Sequence, residues 1–196
     1  ARAVGGLNPE IVFRNSTPYA PNINISKSPG RSQAPAIVID QFGKVSVVWE
    51  GEEDRFGKSE ILISSSLKDE TGRQTAVTDF VIPKFSSPFN ISGPNSPGTS
   101  REPAVAVDGT GTIFVVWSDD TAEDLTRTTG KFQIFFRRSD RAFEPPVRVS
   151  RRLDERGKDI SGNAATPAIA VDGVGNLFVV WAEDNEVRFS AALKAM

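Results

Sequence analysis

Carboxylates are the side chains best placed to do chemistry in this sequence, and they gather after three tryptophans. Glu50, Glu52, Glu53 and Asp54 follow Trp49; Asp119, Asp120, Glu123 and Asp124 follow Trp117; Glu183, Asp184 and Glu186 follow Trp181. Clustered side-chain oxygens suit Ca²⁺, which takes several oxygen ligands. Asp119, Asp120, Glu183 and Asp184 are the candidate ligands, although no loop has EF-hand spacing. The competing reading is a solvated acidic rim that masks strand edges, and no other cofactor is called for. The 196-residue chain has no histidine and no cysteine, which removes the usual general base, thiolate metal sites and disulfides. Paired carboxylates can cleave glycosides without either residue. No pair stands out by spacing, so no catalytic residue is assigned.

A second charged group, Arg151, Arg152, Arg156 and Lys158, lies in the stretch from Ser150 to Thr166. Long loops on rigid scaffolds commonly carry binding, which makes these four the candidate binding residues. Thr71 to Ser87 and Thr121 to Lys131 are the other irregular stretches. A net charge of -2 argues against a nucleic-acid partner. The glycines at 109, 111, 173 and 175 imitate a phosphate-binding loop, but a strand pattern follows where that loop needs a helix. No apolar run approaches the length of a membrane span. With 38% hydrophobic and 24% charged residues, the composition is that of a folded chain.

The elements that must position these residues come from an internal repeat. Pro35 to Asp40, Pro103 to Asp108 and Pro167 to Asp172 are copies of one apolar run (A). Each leads through a Gly-containing turn to a second run (B): Val45 to Trp49, Ile113 to Trp117 and Leu177 to Trp181. The tryptophans at 49, 117 and 181 are the three in the chain. A third run (C) follows Glu or Gln: Ile11 to Phe13, Ile61 to Ile63, Ile134 to Phe136 and Val187 to Phe189. A fourth (D) alternates and ends in Ser26, Ser92 or Ser150. Richness in Val, Ile and Phe between Gly, Pro, Ser and Asp marks strands. Nearly continuous apolar runs at A and B predict strands covered on both faces. Asp40, Asp108 and Asp172 sit just before the turn, where a carboxylate accepts backbone N–H bonds and fixes it. Trp49, Trp117 and Trp181 are expected in the seams between stacked sheets, each burial being worth about 2–3 kcal/mol.

Four antiparallel strands per repeat predict an all-β fold, a β-propeller with about three four-stranded blades in this chain. The whole of 1–196 reads as one repeat region, with repeats at about 35–102, 103–166 and 167–196 and a leading partial blade at 11–26. Three wedge-shaped blades do not close a ring, so the expectation is either a piece of a longer polypeptide or completion by another chain. In a homodimer, the early D strand from Ile23 to Ser26 would complete a partner's last blade.

The succession Pro167 to Trp181, Ile134-Phe135-Phe136-Arg137-Arg138-Ser139 and Phe143 to Ser150 resembles the bacterial sialidase-like repeat proteins of the BNR, or Asp-box, type. The likeness runs from about Ile11 to Ala192. It implies a secreted, periplasmic or surface propeller that binds a protein partner or a glycan without hydrolase activity. The Asp-box itself is eroded to Ser139-Asp140-Arg141-Ala142-Phe143-Glu144-Pro145. Phe13-Arg14-Asn15-Ser16 is similar to the first-arginine motif of sialidases, but Phe136-Arg137-Arg138-Ser139 holds the same repeat position. Tyr19 is the one tyrosine for a nucleophile. The expectation is therefore a non-enzymatic binding or scaffold subunit outside the cytoplasm. The alternatives are a fragment of a sialidase-like glycoside hydrolase whose catalytic residues lie on missing blades, and a structural or adhesion repeat.

Overall fold

A computed structural model describes residues 8–15, 21–52, 58–67, 83–93, 96–122 and 126–192. The described residues form an all-β chain of thirteen strands. β1 (Val12–Phe13) and β2 (Ile23–Asn24) pair antiparallel. β3 (Ser32–Ile39), β4 (Val45–Glu52), β5 (Ser59–Ser65) and β6 (Phe89–Asn90) form an antiparallel four-stranded sheet in chain order. β7 (Ser100–Val107), β8 (Ile113–Thr121), β9 (Thr128–Arg138) and β10 (Val147–Arg148) form the next. β11 (Ala164–Val171), β12 (Leu177–Glu183) and β13 (Glu186–Ala192) complete the described part. The strands fall in the order C-D, A-B-C-D, A-B-C-D, A-B-C that the repeat requires. The early D strand, β2, is paired with β1 of its own chain.

Successive sheets pack face against face. Ile11 and Ile25 of the first sheet meet Val45, Val47, Trp49 and Leu62 of the second. The other side of the second sheet puts Val48, Ile61, Ile63 and Ile91 against Ile113, Val115, Trp117 and Phe135 of the third. Phe114, Val116 and Ile134 then meet Leu177, Val179 and Trp181 of the fourth. Each tryptophan is buried in the seam with the preceding sheet, as its repeat position predicted. The first strands, β3, β7 and β11, make the most extensive contact between sheets, so packing is closest on that side.

Two departures from the sequence reading have physical causes. The A strands start three residues before the proline and carry a register break between Gln33 and Ala36, Arg101 and Ala104, and Ala165 and Ala168. The residue before each proline, Ala34, Glu102 or Thr166, is left-handed at φ 49°, 56° and 48°. Proline has no N–H for a ladder, so the chain bulges there. The D strands are only two residues long, because a serine hydroxyl takes over the next ladder position. The N–H groups of Ile11, Ile61 and Ile134 donate to Ser26, Ser92 and Ser150 Oγ at 3.1, 2.9 and 3.0 Å. Those hydroxyls donate to the Glu or Gln that opens the C strand: Glu10, Glu60 and, at 2.8 Å, Gln133.

Candidate functional site

Strand direction brings the A starts, B ends and C starts to one end of the stack, as the pairs Ser32–Gly51, Ser100–Asp119 and Ala164–Glu183 show. The acidic B–C loops and the loops leading from D to A meet at this end. The turns at Asp40, Asp108 and Asp172 lie at the other.

The four candidate calcium ligands are engaged in joining those loops. Asp119, 3% exposed, accepts from Ser100 Oγ at 2.7 Å, Trp117 Nε1 at 3.0 Å and Thr121 N at 2.7 Å. Asp120 Oδ1 accepts from Thr99 N at 2.7 Å, and Asp184 Oδ1 from Asn163 N at 3.1 Å. Glu183, 2% exposed, accepts from Gly162 N at 2.5 Å and lies 3.5 Å from Arg152 and 3.6 Å from Arg188. Among the described residues, no three carboxylates converge on a point where a cation could sit. Glu53, Asp54, Glu123 and Asp124 lie outside the described residues.

The candidate binding residues occupy a folded finger. Asp154 N donates to Lys158 O, Gly157 N to Asp154 O, and Asp154 Oδ1 accepts from Arg156 N and Lys158 N at 2.9 and 2.8 Å. This is the bonding pattern of the A–B turns, where Asp108 Oδ1 accepts from Thr110 N and Thr112 N and Gly111 N donates to Asp108 O. Residues 154–158 are thus a fourth copy of that turn, at the opposite end of the stack. The Asp-x-x-Gly spacing that reveals it is present in the sequence, hidden outside the repeat's phase. Gly157 at φ 76° supplies the positive φ that the turn needs. Arg151, Arg156 and Lys158 are exposed on the finger, whereas Arg152 turns inward to Ile160 O and Glu183. At the finger's base, Arg148 bonds Asp159 at 2.5 Å and Gln133 at 2.6 Å beside a cavity of about 180 Å³. Partial burial would raise the Asp159 pKa, but hydrogen bonds from Ser161 and Arg148 outweigh it and bring it to about 2.

The turn aspartates act as local braces. Asp172 is held below the ordinary carboxylate range by backbone N–H groups, that of Asn176 first. In the eroded Asp-box, Asp140 accepts two bonds from Arg138 at 2.5 Å, which lower its pKa. Arg14 is exposed. Arg137, at the same repeat position, is half-buried and donates to Ile91 O at 2.5 Å. Tyr19 lies outside the described residues.

One group that the sequence reading passed over stands out. Glu102 stands at the bulge of β7, accepts from Ser118 Oγ at 3.2 Å, and crosses the seam to accept from Thr166 N at 2.7 Å. Its neighbour Arg101 stacks its guanidinium 3.5 Å over the Phe132 ring. The available signal was a proline inside a strand pattern, which marks a bulge and an unusually aimed residue before it.

No protein-family model and no curated protein matches the chain. Among solved structures it is similar to an endo-arabinase from Bacteroides thetaiotaomicron, with 16% identity over 95% of this chain and 66% of that one, at a TM-score of 0.49. A protein of unknown function from Dyadobacter fermentans gives 15% identity, coverage of 82% and 50%, and a TM-score of 0.49. A thermostable family-43 glycoside hydrolase gives 14%, 90% and 64%, and 0.43. The chain thus spans between half and two thirds of the length of these proteins. Such identities concern the fold alone. The expectation of a non-enzyme, and with it that of a purely binding subunit, finds no support here and is not retained: two of these three proteins are named as an endo-arabinase and a glycoside hydrolase.

Proposed function

We propose that the stacked sheets are consecutive blades of a β-propeller of glycoside-hydrolase type, with the reacting groups divided between this chain and further blades. The observation that carries this reading is the row of left-handed residues at Ala34, Glu102 and Thr166. Left-handed backbone costs a non-glycine residue roughly 1–2 kcal/mol. The proline after each one imposes this conformation in all three copies, and such a bulge re-aims the side chain before it. These residues open β3, β7 and β11, the strands of closest inter-sheet approach, which would line a propeller's axis. Two of the three positions hold Ala and Thr, and the third holds a carboxylate.

Glycoside cleavage needs two carboxyl groups on either side of the bond. Glu102 supplies one at the axial end, and a second comes from a blade outside the described residues. The sialidase-like repeat pattern favours a sialoside as substrate and an extracytoplasmic site of action.

The test is release of sugar from a panel of sialosides and arabinan by the assembled protein, with and without Glu102→Gln. The expected result is cleavage of one substrate and a fall in kcat of about a hundredfold in the variant, with KM little changed. Absence of release from every glycan, or an undiminished rate in Glu102→Gln, overturns the reading.

A further inference from the structure

The third sheet carries, where β9 and β10 meet the finger, a polar cavity that neither the repeat nor the reading of Glu102 uses. Thr129, Lys131 and Gln133 of β9, Arg148 of β10, and Asp159 and Ser161 of the finger surround a volume of about 180 Å³. That is room for about six waters at about 30 Å³ each. The three β9 residues are two apart, so their side chains share one face of the sheet. The walls are held in place. Gln133 accepts from Arg148 at 2.6 Å and from Ser150 Oγ at 2.8 Å, and its Nε2 donates to Gly162 O at 2.7 Å. Ser161 Oγ accepts from Arg152 N at 2.8 Å and donates to Ser150 O at 3.0 Å. The limbs of the finger are joined by Ile160 N donating to Arg152 O at 2.9 Å and by a bridge between Leu153 and Asp159. A site fixed in this way loses little conformational freedom on binding.

Charge is unevenly spread around the cavity. Arg148 pairs with Asp159, and Arg152 with Glu183. Asp154 turns Oδ1 to the N–H groups of its own turn. Lys131, Arg151, Arg156 and Lys158 are exposed, and the exposed acid left among them is Glu155. Among the described residues, Lys131, Arg156 and Lys158 enter no ion pair. In a chain of net charge -2, this corner is a cationic patch.

We infer that this corner binds an acidic glycan, with the hydroxyls of one sugar ring in the cavity and carboxylate or sulfate groups on Lys131, Arg156 and Lys158. A sugar hydroxyl both donates and accepts, so neighbouring hydroxyls need an acceptor and a donor close together. Asp159, ionised at any pH well above about 2, is the acceptor, and the Lys131 ammonium supplies the donors. The described lining is polar throughout, with no aromatic or aliphatic residue. The core of a protein–protein interface is built from aromatic and apolar groups, which favours a sugar over an acidic peptide here. This binding asks nothing of Glu102 and stands whether or not a glycosidic bond is cleaved.

The test titrates the protein by calorimetry with polygalacturonate, which carries carboxylates, with dextran sulfate, with neutral arabinan and with poly-L-glutamate. The expected result is saturable binding of polygalacturonate or dextran sulfate, the stronger of the two naming the acidic group. Affinity falls as salt is raised. Arabinan and poly-L-glutamate bind at least tenfold more weakly. The double variant Arg156→Gln, Lys158→Gln weakens binding by about tenfold, and Lys131→Gln alone does so by several-fold. All three are exposed side chains, so the fold is kept. Arg141→Gln, an exposed cation in the eroded Asp-box, leaves affinity unchanged. No binding of either acidic glycan, equal binding of arabinan or of poly-L-glutamate, or an equal loss in Arg141→Gln overturns the inference.

Discussion

The indole N–H of Trp117 donates to Asp119 Oδ2 across 3.0 Å, whereas those of Trp49 and Trp181 have no hydrogen-bond partner among the described residues. The three tryptophans share one repeat position, so the difference lies two residues downstream. Gly51 occupies that place in the first copy, where an added Cβ would come 2.8 Å from Leu62 Cδ1 and 3.2 Å from the Trp49 ring nitrogen. In the third copy Glu183 is one methylene longer and turns to Gly162 N and two arginines.

Asp119 is therefore expected to matter more than an acidic rim residue would. Asp119→Ala orphans three buried donors, those of Ser100, Trp117 and Thr121. The expected cost is about 2–4 kcal/mol, read as a lower urea midpoint with an unchanged slope. A change below about 0.5 kcal/mol would mean that the donors find water instead.

Acid stability should respond to Asp159. Its pKa falls from 3.8 to about 2 in the folded chain, burial opposing the change and bonds from Ser161 and Arg148 prevailing. A lowered carboxylate pKa favours the folded state at every pH above 3.8, the ordinary value for an aspartate. That contribution fades as the pH falls from 3.8 toward about 2, since the unfolded chain takes up the proton first. Asp159→Asn should flatten the fall in melting temperature within this window and leave the slope near neutrality unchanged. The side chain is 37% exposed, so screening by solvent keeps the effect modest. An unaltered acid limb in the variant would contradict the assignment.

Ala34 offers a test of backbone strain without a change in contacts. It is exposed and stands at φ 49° before Pro35. Glycine relieves the left-handed penalty but loses more entropy on folding. Ala34→Gly is expected to gain about 0.5–1 kcal/mol in thermal unfolding. A loss of stability would show that the left-handed conformation is unstrained at this site.

The strands, their order and the tryptophan seams were legible because they depend on features a sequence displays directly. Val47-Val48-Trp49 and Val115-Val116-Trp117 are apolar on both faces, so both faces must be covered. The role of Ser26, Ser92 and Ser150 was less visible. A serine after an alternating run reads as turn chemistry, and only the paired strand shows that its hydroxyl replaces a ladder carbonyl. The charged loops were the least legible part. Asp120 and Asp184 reach backbone N–H groups 21 residues upstream, at Thr99 and Asn163, a contact no local pattern encodes. Glu102 was hidden for a different reason. It breaks the repeat, and comparing copies favours residues that recur.

The serine clamps, Glu10 with Ser26, Glu60 with Ser92 and Gln133 with Ser150, each join a C strand to the D strand that follows it in the chain. No described strand is lent to a distant sheet. A genetic duplication or deletion of one whole unit would therefore leave every ladder whole and alter only the number of layers. Length in such a protein can change in steps of a full unit, at the energetic scale of a single seam.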